Sequence, residues 1–184
     1  MKLFVETSLS DLYMALIDNH EIIAKVRVEN LVKKTDAFYE NLNQLLEDAK
    51  VSIDNVESIY TTLGPGSFSG ARIGFLFAKT LAQISDRKLY VSPTYELFRW
   101  QKQLLSENNN KIRIKANRYN VYLIEFNPEF SCKLVDDDLA YDKFDYDLFE
   151  QNPIYFLNKF TKVENPLDVE LLYLHEPQIG GEKC

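Results

Sequence analysis

The residues 64–69, GPGSFS, open the run GPGSFSGARIGFLFAKTLA that extends to residue 82. A glycine- and proline-rich turn leading into a helix leaves backbone amides free at the helix start, where an anion such as phosphate is attracted. Ser69 is placed to cap that helix. Gly64, Gly66, Ser67 and Ser69, with Glu6 at the end of the first strand, therefore form a candidate vestigial phosphate loop. A turn of this composition also arises for purely steric reasons. The metal chemistry that accompanies a nucleotide phosphate is not supplied nearby: the 28 residues 58–85 contain no carboxylate, and a hard cation needs oxygen ligands. Glu6 has no acidic partner across its turn and is expected to cap local amides instead. The two histidines, His20 and His175, lie far apart, and the two cysteines, Cys132 and Cys184, form no CxxC motif. Neither a metal site, an HExxH peptidase motif nor a Ser-His-Asp constellation is assembled from them, so no catalytic residue is assigned.

The elements that would position the turn follow from periodicity. Residues 2–7, 12–18 and 20–29 read as three strands of a meander, the last with Ile22, Ala24, Val26 and Val28 on one face. Thr35 or Asp36 is placed to cap a helix whose Phe38, Leu42, Leu45, Leu46 and Ala49 fall on a single stripe. A strand at 58–63, a helix at 70–85, a strand at 88–92 stopped by Pro93, and a helix from Thr94 to about 106 complete the pattern. Strand, strand, strand, helix, strand, helix, strand is the order of one ribonuclease-H-like lobe, the unit of actin-like folds, and gives an α/β class. The polar stretch 106–110 marks a boundary, so the chain divides into residues 1–106, a full lobe, and 107–184, a reduced and degenerate second lobe that begins with a hairpin at 111–116 and 119–126.

The second helix carries Arg72, Lys79 and Thr80 as the only polar side chains among residues 70–82. Gly70, Gly74, Ala78 and Ala82 make a small-residue stripe, and Ile73, Phe77 and Leu81 a large apolar one beside it. One stripe suffices for the sheet; the other, with that of the first helix, suggests a helical interface with a second subunit, although a helix buried within an α/β core is equally apolar.

Charge sets the limits on partners. The net charge of −7 is accounted for by residues 125–150, which hold nine acids against Lys133 and Lys143 and read as a solvated polar region. An acidic chain gains no counterion-release affinity for phosphate backbones, so tight direct binding of nucleic acid is not expected. Lys111, Arg113 and Lys115 alternate on one strand face with Arg118 close behind, a small basic strip that would either touch RNA within a complex or protect an edge strand. No apolar run is long enough to span a bilayer, and the start MKLFVETSLSD has acids where a signal peptide is apolar, so a cytoplasmic protein is expected.

The run at 64–82 resembles the signature of the TsaB family, also called YeaZ: a GPGSFTG-type turn followed by an R-I-G and A-K-x-L-A helix. The resemblance covers the first lobe. Departures lie at Glu6-Thr7-Ser8, where the family commonly has Asp-Thr-Ser, at Lys115-Ala116-Asn117-Arg118, where it has an Asp-Ala-Arg-Arg-like strand end, and at Tyr173-Leu174-His175, where it often has Tyr-Leu-Arg. The resemblance implies an actin-like fold without transferase activity of its own, which binds the catalytic subunit TsaD in an assembly that also uses the ATPase TsaE and modifies tRNA with threonylcarbamoyladenosine. It implies helical pairing with that partner, or self-pairing as a homodimer through the same helices. Phe38, Leu42, Leu45, Gly74, Phe75, Ala78 and Lys79 are the expected contact residues, with Arg72 at the edge. No cofactor of its own is implied, ATP or ADP being expected only at the assembled complex, and tRNA only through it. The alternative is a stand-alone nucleotide-dependent kinase or ATPase that uses the 64–69 turn.

Overall fold

In the computed structural model, which describes residues 1–31, 33–108, 110–136 and 140–172, alternation along the first three strands builds one side of a mixed sheet. β1 (Lys2–Glu6) pairs antiparallel with β2 (Leu12–Asp18), and β2 with β3 (Glu21–Val28). α1 (Lys34–Ala49) and a 3₁₀ turn at Ile53–Asn55 then lead to β4 (Ser58–Thr62), which lies parallel to β1. α2 (Phe68–Ser85) leads to β5 (Lys88–Ser92), parallel to β4, and α3 (Thr94–Leu104) follows. The order β3-β2-β1-β4-β5 is that of the ribonuclease-H-like, actin-like α/β fold. A second, antiparallel sheet holds β6 (Lys111–Lys115), β7 (Asn120–Glu125) and β8 (Ser131–Asp136). Two short helices, α4 (Tyr146–Gln151) and α5 (Pro153–Leu157), precede β9 (Thr161–Val163).

β9 returns to the first sheet and pairs antiparallel with β5, so that sheet is completed by a strand from beyond residue 106. It is three residues long, two of them polar, and too short for alternation to mark it. After it a 3₁₀ turn at Pro166–Asp168 packs beside α2, and the Leu172 amide donates to the Leu63 carbonyl at 2.9 Å.

The sheet separates two apolar layers. Leu3, Val5, Leu12, Met14 and Leu16 face α1 and α2, where they meet Phe38, Leu42, Leu45 and Ala78. Phe4, Tyr13, Ala15 and Ile17 face the other way, onto Phe98 of α3, Ile112 and Ile114 of β6, and Phe149 and Phe156 of the short helices. Ile22 belongs with the second group, not with Ala24, Val26 and Val28 as alternation predicts. The register slips between Leu16 and Ile17, which face Ala24 and Ile22, so Ile23 is bulged and 44% exposed. One extra residue in a strand reverses the faces beyond it.

Helix starts differ from expectation. α1 begins at Lys34 and has no side-chain cap, so neither Thr35 nor Asp36 serves as one. α2 begins two residues before the expected Gly70. The acidic stretch is more than a solvated surface: Asp145 caps α4 through the Leu148 amide at 2.9 Å, and Glu150 takes the Lys25 ammonium and the Tyr13 hydroxyl. No helix among the described residues is long and apolar enough to cross a membrane.

Candidate functional site

Glu6 ends β1 with no exposed surface. Oε1 accepts the Ser8 amide at 2.7 Å and the Thr62 hydroxyl at 3.1 Å, the Leu9 amide lies 3.3 Å from both oxygens, and the Tyr146 hydroxyl donates to Oε2 at 3.1 Å. The local-amide role expected for Glu6 is the one its geometry shows. Lys34, also buried, donates its ammonium to the Leu9 carbonyl across the same turn. Burial pushes the Glu6 carboxyl up, against the pull of the Lys34 charge and the donated hydrogen bonds. Burial likewise pushes the Lys34 ammonium down, against Glu6 and Asp11.

A carboxyl with a raised folded pKa binds more protons in the native state than in the unfolded one. Its contribution is therefore complete below the ordinary value of 4.5 and is lost as pH rises through the raised value. Lys34 acts in a separate window, losing its contribution as pH falls from 10.5 through its lowered value. Glu6→Gln is thus expected to flatten the decline of stability on the alkaline side of pH 4.5, as read by urea denaturation across pH. A variant that keeps the wild-type slope there would assign the decline to other groups.

The glycine-rich turn lies directly against this corner. The Ser67 amide donates to the Ser8 carbonyl at 2.7 Å, and the Thr7 hydroxyl donates to the Gly70 carbonyl at 2.6 Å. A Cβ at Gly66 would lie 2.2 Å from the Ser8 carbonyl oxygen, and one at Gly70 2.1 Å from that of Thr7. The space between the two turns is filled by backbone, and the steric reason for glycine is the one the geometry supports. Gly64 accepts the Thr94 amide through its carbonyl at 2.8 Å and so ties the turn to the start of α3. The cap of α2 is Ser67, whose Oγ accepts the Gly70 amide at 3.4 Å; Ser69, expected there, sits exposed in the first turn instead.

Six of the eight residues expected at a partner surface are used inside the chain. Phe38, Leu45 and Ala78 have no exposure, Leu42 and Phe75 have 5% and 4%, and Gly74 packs against Thr7 and Val5. The small stripe of α2 is the one that faces the sheet, because only it lets the helix approach β1 so closely. Lys79 is also engaged, its ammonium donating to the Leu167 and Val169 carbonyls at 3.2 and 2.9 Å. Arg72 alone of the eight is exposed, stacked over Phe68 at 3.7 Å.

The outward face of the two helices is built by other residues. Phe68, Arg72, Leu76, Thr80 and Ile84 follow at every fourth position along α2 and all are exposed, Leu76 by 53% and Ile84 by 75%. Tyr39 of α1, 59% exposed, approaches this face through Phe77, whose ring lies 6.5 Å from it and 5.1 Å from Phe38. The signal was in the sequence: Leu76 and Ile84 fall outside both stripes read there and mark a third.

The strand that carries the basic strip is held in place, and two of its basic side chains have partners, Lys115 lying over the Tyr141 ring at 5.2 Å. β6 is an edge strand whose Lys111 pairs with Glu125 at 2.7 Å. The Arg113 amide donates to Asp142 Oδ2 at 2.7 Å, and the Asp142 amide to the Arg113 carbonyl at 2.8 Å. Among the described residues no three of His, Cys, Asp and Glu are grouped so as to hold a metal. Tyr173-Leu174-His175 and Cys184 lie outside the described residues.

Comparison with known proteins adds to this geometry. The family model for TsaD, tRNA N6-adenosine threonylcarbamoyltransferase, matches residues 34–111, which run from α1 to the start of β6. A Mycoplasma pneumoniae protein described as an uncharacterized homologue of MG208 is 27% identical over 96% of this chain and 95% of its own length. A tRNA N6-adenosine threonylcarbamoyltransferase from Rhizobium leguminosarum is 31% identical over 45% of this chain, which spans only 23% of that enzyme. Among solved structures, YeaZ from Pseudomonas aeruginosa superposes with a TM-score of 0.55 at 17% identity, over 79% of this chain and 71% of that one. A crystal structure described as an uncharacterized protein with similarity to peptidase YEAZ from Pseudomonas aeruginosa gives 0.63 at 14% identity, over 95% and 99%. The chain thus has the fold of YeaZ, and from α1 to the start of β6 it carries the sequence pattern of the threonylcarbamoyltransferase family.

Proposed function

We propose that this chain is a non-catalytic, activating subunit that binds a TsaD-like transferase and supports threonylcarbamoyl transfer to adenosine 37 of tRNA. The observation that carries the reading is the outward face of α1 and α2, where Tyr39, Phe68, Leu76 and Ile84 are each about half exposed or more, with Arg72 and Thr80 between the α2 residues. Several large apolar side chains exposed on one face mark a protein interaction site. The likeness to YeaZ and to the TsaD model supports the identity of the partner. In this reading the chain works in the cytoplasm, a TsaE-like ATPase joins the assembly, and ATP or ADP and tRNA are met only there. Without its partner the chain pairs with itself through the same helices. A stand-alone kinase or ATPase is disfavoured by Glu6, whose oxygens are already occupied by the Ser8 and Leu9 amides and two hydroxyls.

The test is co-purification with the TsaD-like subunit, followed by a tRNA modification assay with and without this chain. Complex formation and modification that depends on the chain are expected. A partner that modifies tRNA equally well alone, or magnesium-dependent ATP hydrolysis by this chain that Glu6→Gln abolishes, would overturn the reading.

A further inference from the structure

After β9 the chain runs as a strap along the flank of α2. The Lys79 ammonium holds the Leu167 and Val169 carbonyls at 3.2 and 2.9 Å, and the Leu172 amide donates to the Leu63 carbonyl at 2.9 Å. A Cβ at Gly64 would lie 3.5 Å from the Leu172 carbonyl oxygen and 3.9 Å from the Ala71 Cβ, so residue 172 sits beside the first turn of the helix. The strap therefore travels antiparallel to α2, from the level of Lys79 back to that of Ala71. At about 100° per residue around a helix, Lys79 projects between Phe68 and Arg72. The strap thus borders the outward ridge of α2 and delivers whatever follows it to the ridge's first turns.

The sequence that follows is YLHEPQIGGEKC, residues 173–184. It opens on an apolar pair, Tyr173-Leu174, and its first acid is Glu176. The ridge offers the complement at the same place: the ring of Phe68, 49% exposed, with the Arg72 guanidinium stacked on it. Arg72 and Lys79 are the only charged residues of α2, and Lys79 is committed to the strap. Reach is ample, since the four residues from Leu172 to Glu176 span up to roughly 13 Å when extended, and Arg72 is the neighbour of Ala71.

We propose that residues 173–184 cover the start of this ridge in the free chain, with Tyr173 and Leu174 against Phe68 and Glu176 beside Arg72, and that a docking partner must displace them. The cover is partial, because Leu76 and Ile84 further along the ridge are exposed and give a partner its first hold. A segment tethered so close acts at an effective concentration on the order of millimolar, and it lowers the affinity of anything that docks on the ridge, a second copy of this chain included. The displacement rests on the reading of the ridge as a docking surface, whereas the cover is a property of the chain alone.

The test is hydroxyl-radical footprinting of the full chain, at a concentration where it is monomeric, beside the double variant Tyr173→Ser with Leu174→Ser and, separately, Glu176→Lys. Oxidation of Phe68 is expected to rise at least twofold in both, while Tyr39 on α1 keeps its rate. Glu176→Lys changes only a charge and guards against loss of fold in the double variant. An unchanged Phe68 rate in both overturns the cover, whatever the transferase does. The same variants are expected to bind the TsaD-like subunit, and to self-associate, three- to tenfold more tightly than the wild type. Affinities that stay equal or fall would overturn the displacement and make the segment a bystander or a part of the docking surface. If the transferase binds neither wild type nor variant, the proposed function fails, and footprinting and self-association still decide the cover and the competition.

Discussion

Alanine at position 70 is expected to destabilise the protein by about 3 kcal/mol, the upper part of the range for forcing a methyl group into a filled interior. In a free helix the same change would stabilise by up to about 1 kcal/mol, because glycine loses more backbone freedom than alanine. The sign is therefore diagnostic. The added carbon would meet the Thr7 carbonyl oxygen at 2.1 Å, and that oxygen belongs to a backbone that cannot rotate away like the end of a side chain. Relief requires α2 to lift from β1, which stretches the 2.6 Å bond from Thr7 to the Gly70 carbonyl and the 2.7 Å bond from Ser67 to Ser8. The loss then reaches Glu6, whose capped amides at Ser8 and Leu9 belong to the same turn. Urea denaturation of Gly70→Ala beside Ser69→Ala, an exposed change expected to fall within about 0.5 kcal/mol of wild type, measures the difference. Equal stability of the two variants would show that the turns are not locked together and would reopen the space to an anion.

That contact also shows where sequence reading stops. The order of elements follows from local periodicity, and α1, β5 and the β6–β7 hairpin lie where their patterns place them. Gly66 was legible as a turn residue and Gly70 as part of a small-residue helix stripe, but that both are held by a neighbouring backbone depended on Ser8 and Thr7, some sixty positions away. Still longer separations, 140 and 88 positions, hid Tyr146 from Glu6 and Leu167 from Lys79. β9 escaped because three residues cannot display a period, and Ile22 was misplaced because a bulge leaves no mark in composition. The helix stripes failed in a more instructive way. Of the two stripes read on this nearly all-apolar helix, one was expected to meet the sheet and the other a second subunit, but both pack within the chain: the small residues alone allow the close approach to β1, and Ile73, Phe77 and Leu81 lie against the same core. Once Gly70, Gly74, Ala78 and Ala82 are turned inward, helical geometry puts Leu76 and Ile84 outward.

Placing aspartate at both Leu76 and Ile84 is accordingly expected to weaken binding of a TsaD-like partner at least a hundredfold, about 3 kcal/mol, the scale of losing central apolar anchors from an interface. The fold should be unaffected, since both side chains are more than half exposed and the substitutions remove little buried surface. The contrast with the residues named from sequence is sharp: Leu45→Asp or Phe38→Asp would also abolish binding, but by unfolding a core in which both have no exposure. Stability and binding must therefore be measured on the same preparation. Arg72, the one exposed charge on the ridge beside Phe68, gives an intermediate case in which reversal to glutamate should slow association and change its salt dependence more than it changes dissociation. If the double aspartate variant keeps both its Tm and its affinity, the outward face of α2 is not the docking surface. If it keeps its Tm and loses both partner binding and self-association, one ridge serves the two, and the homodimer and the complex with the transferase exclude each other.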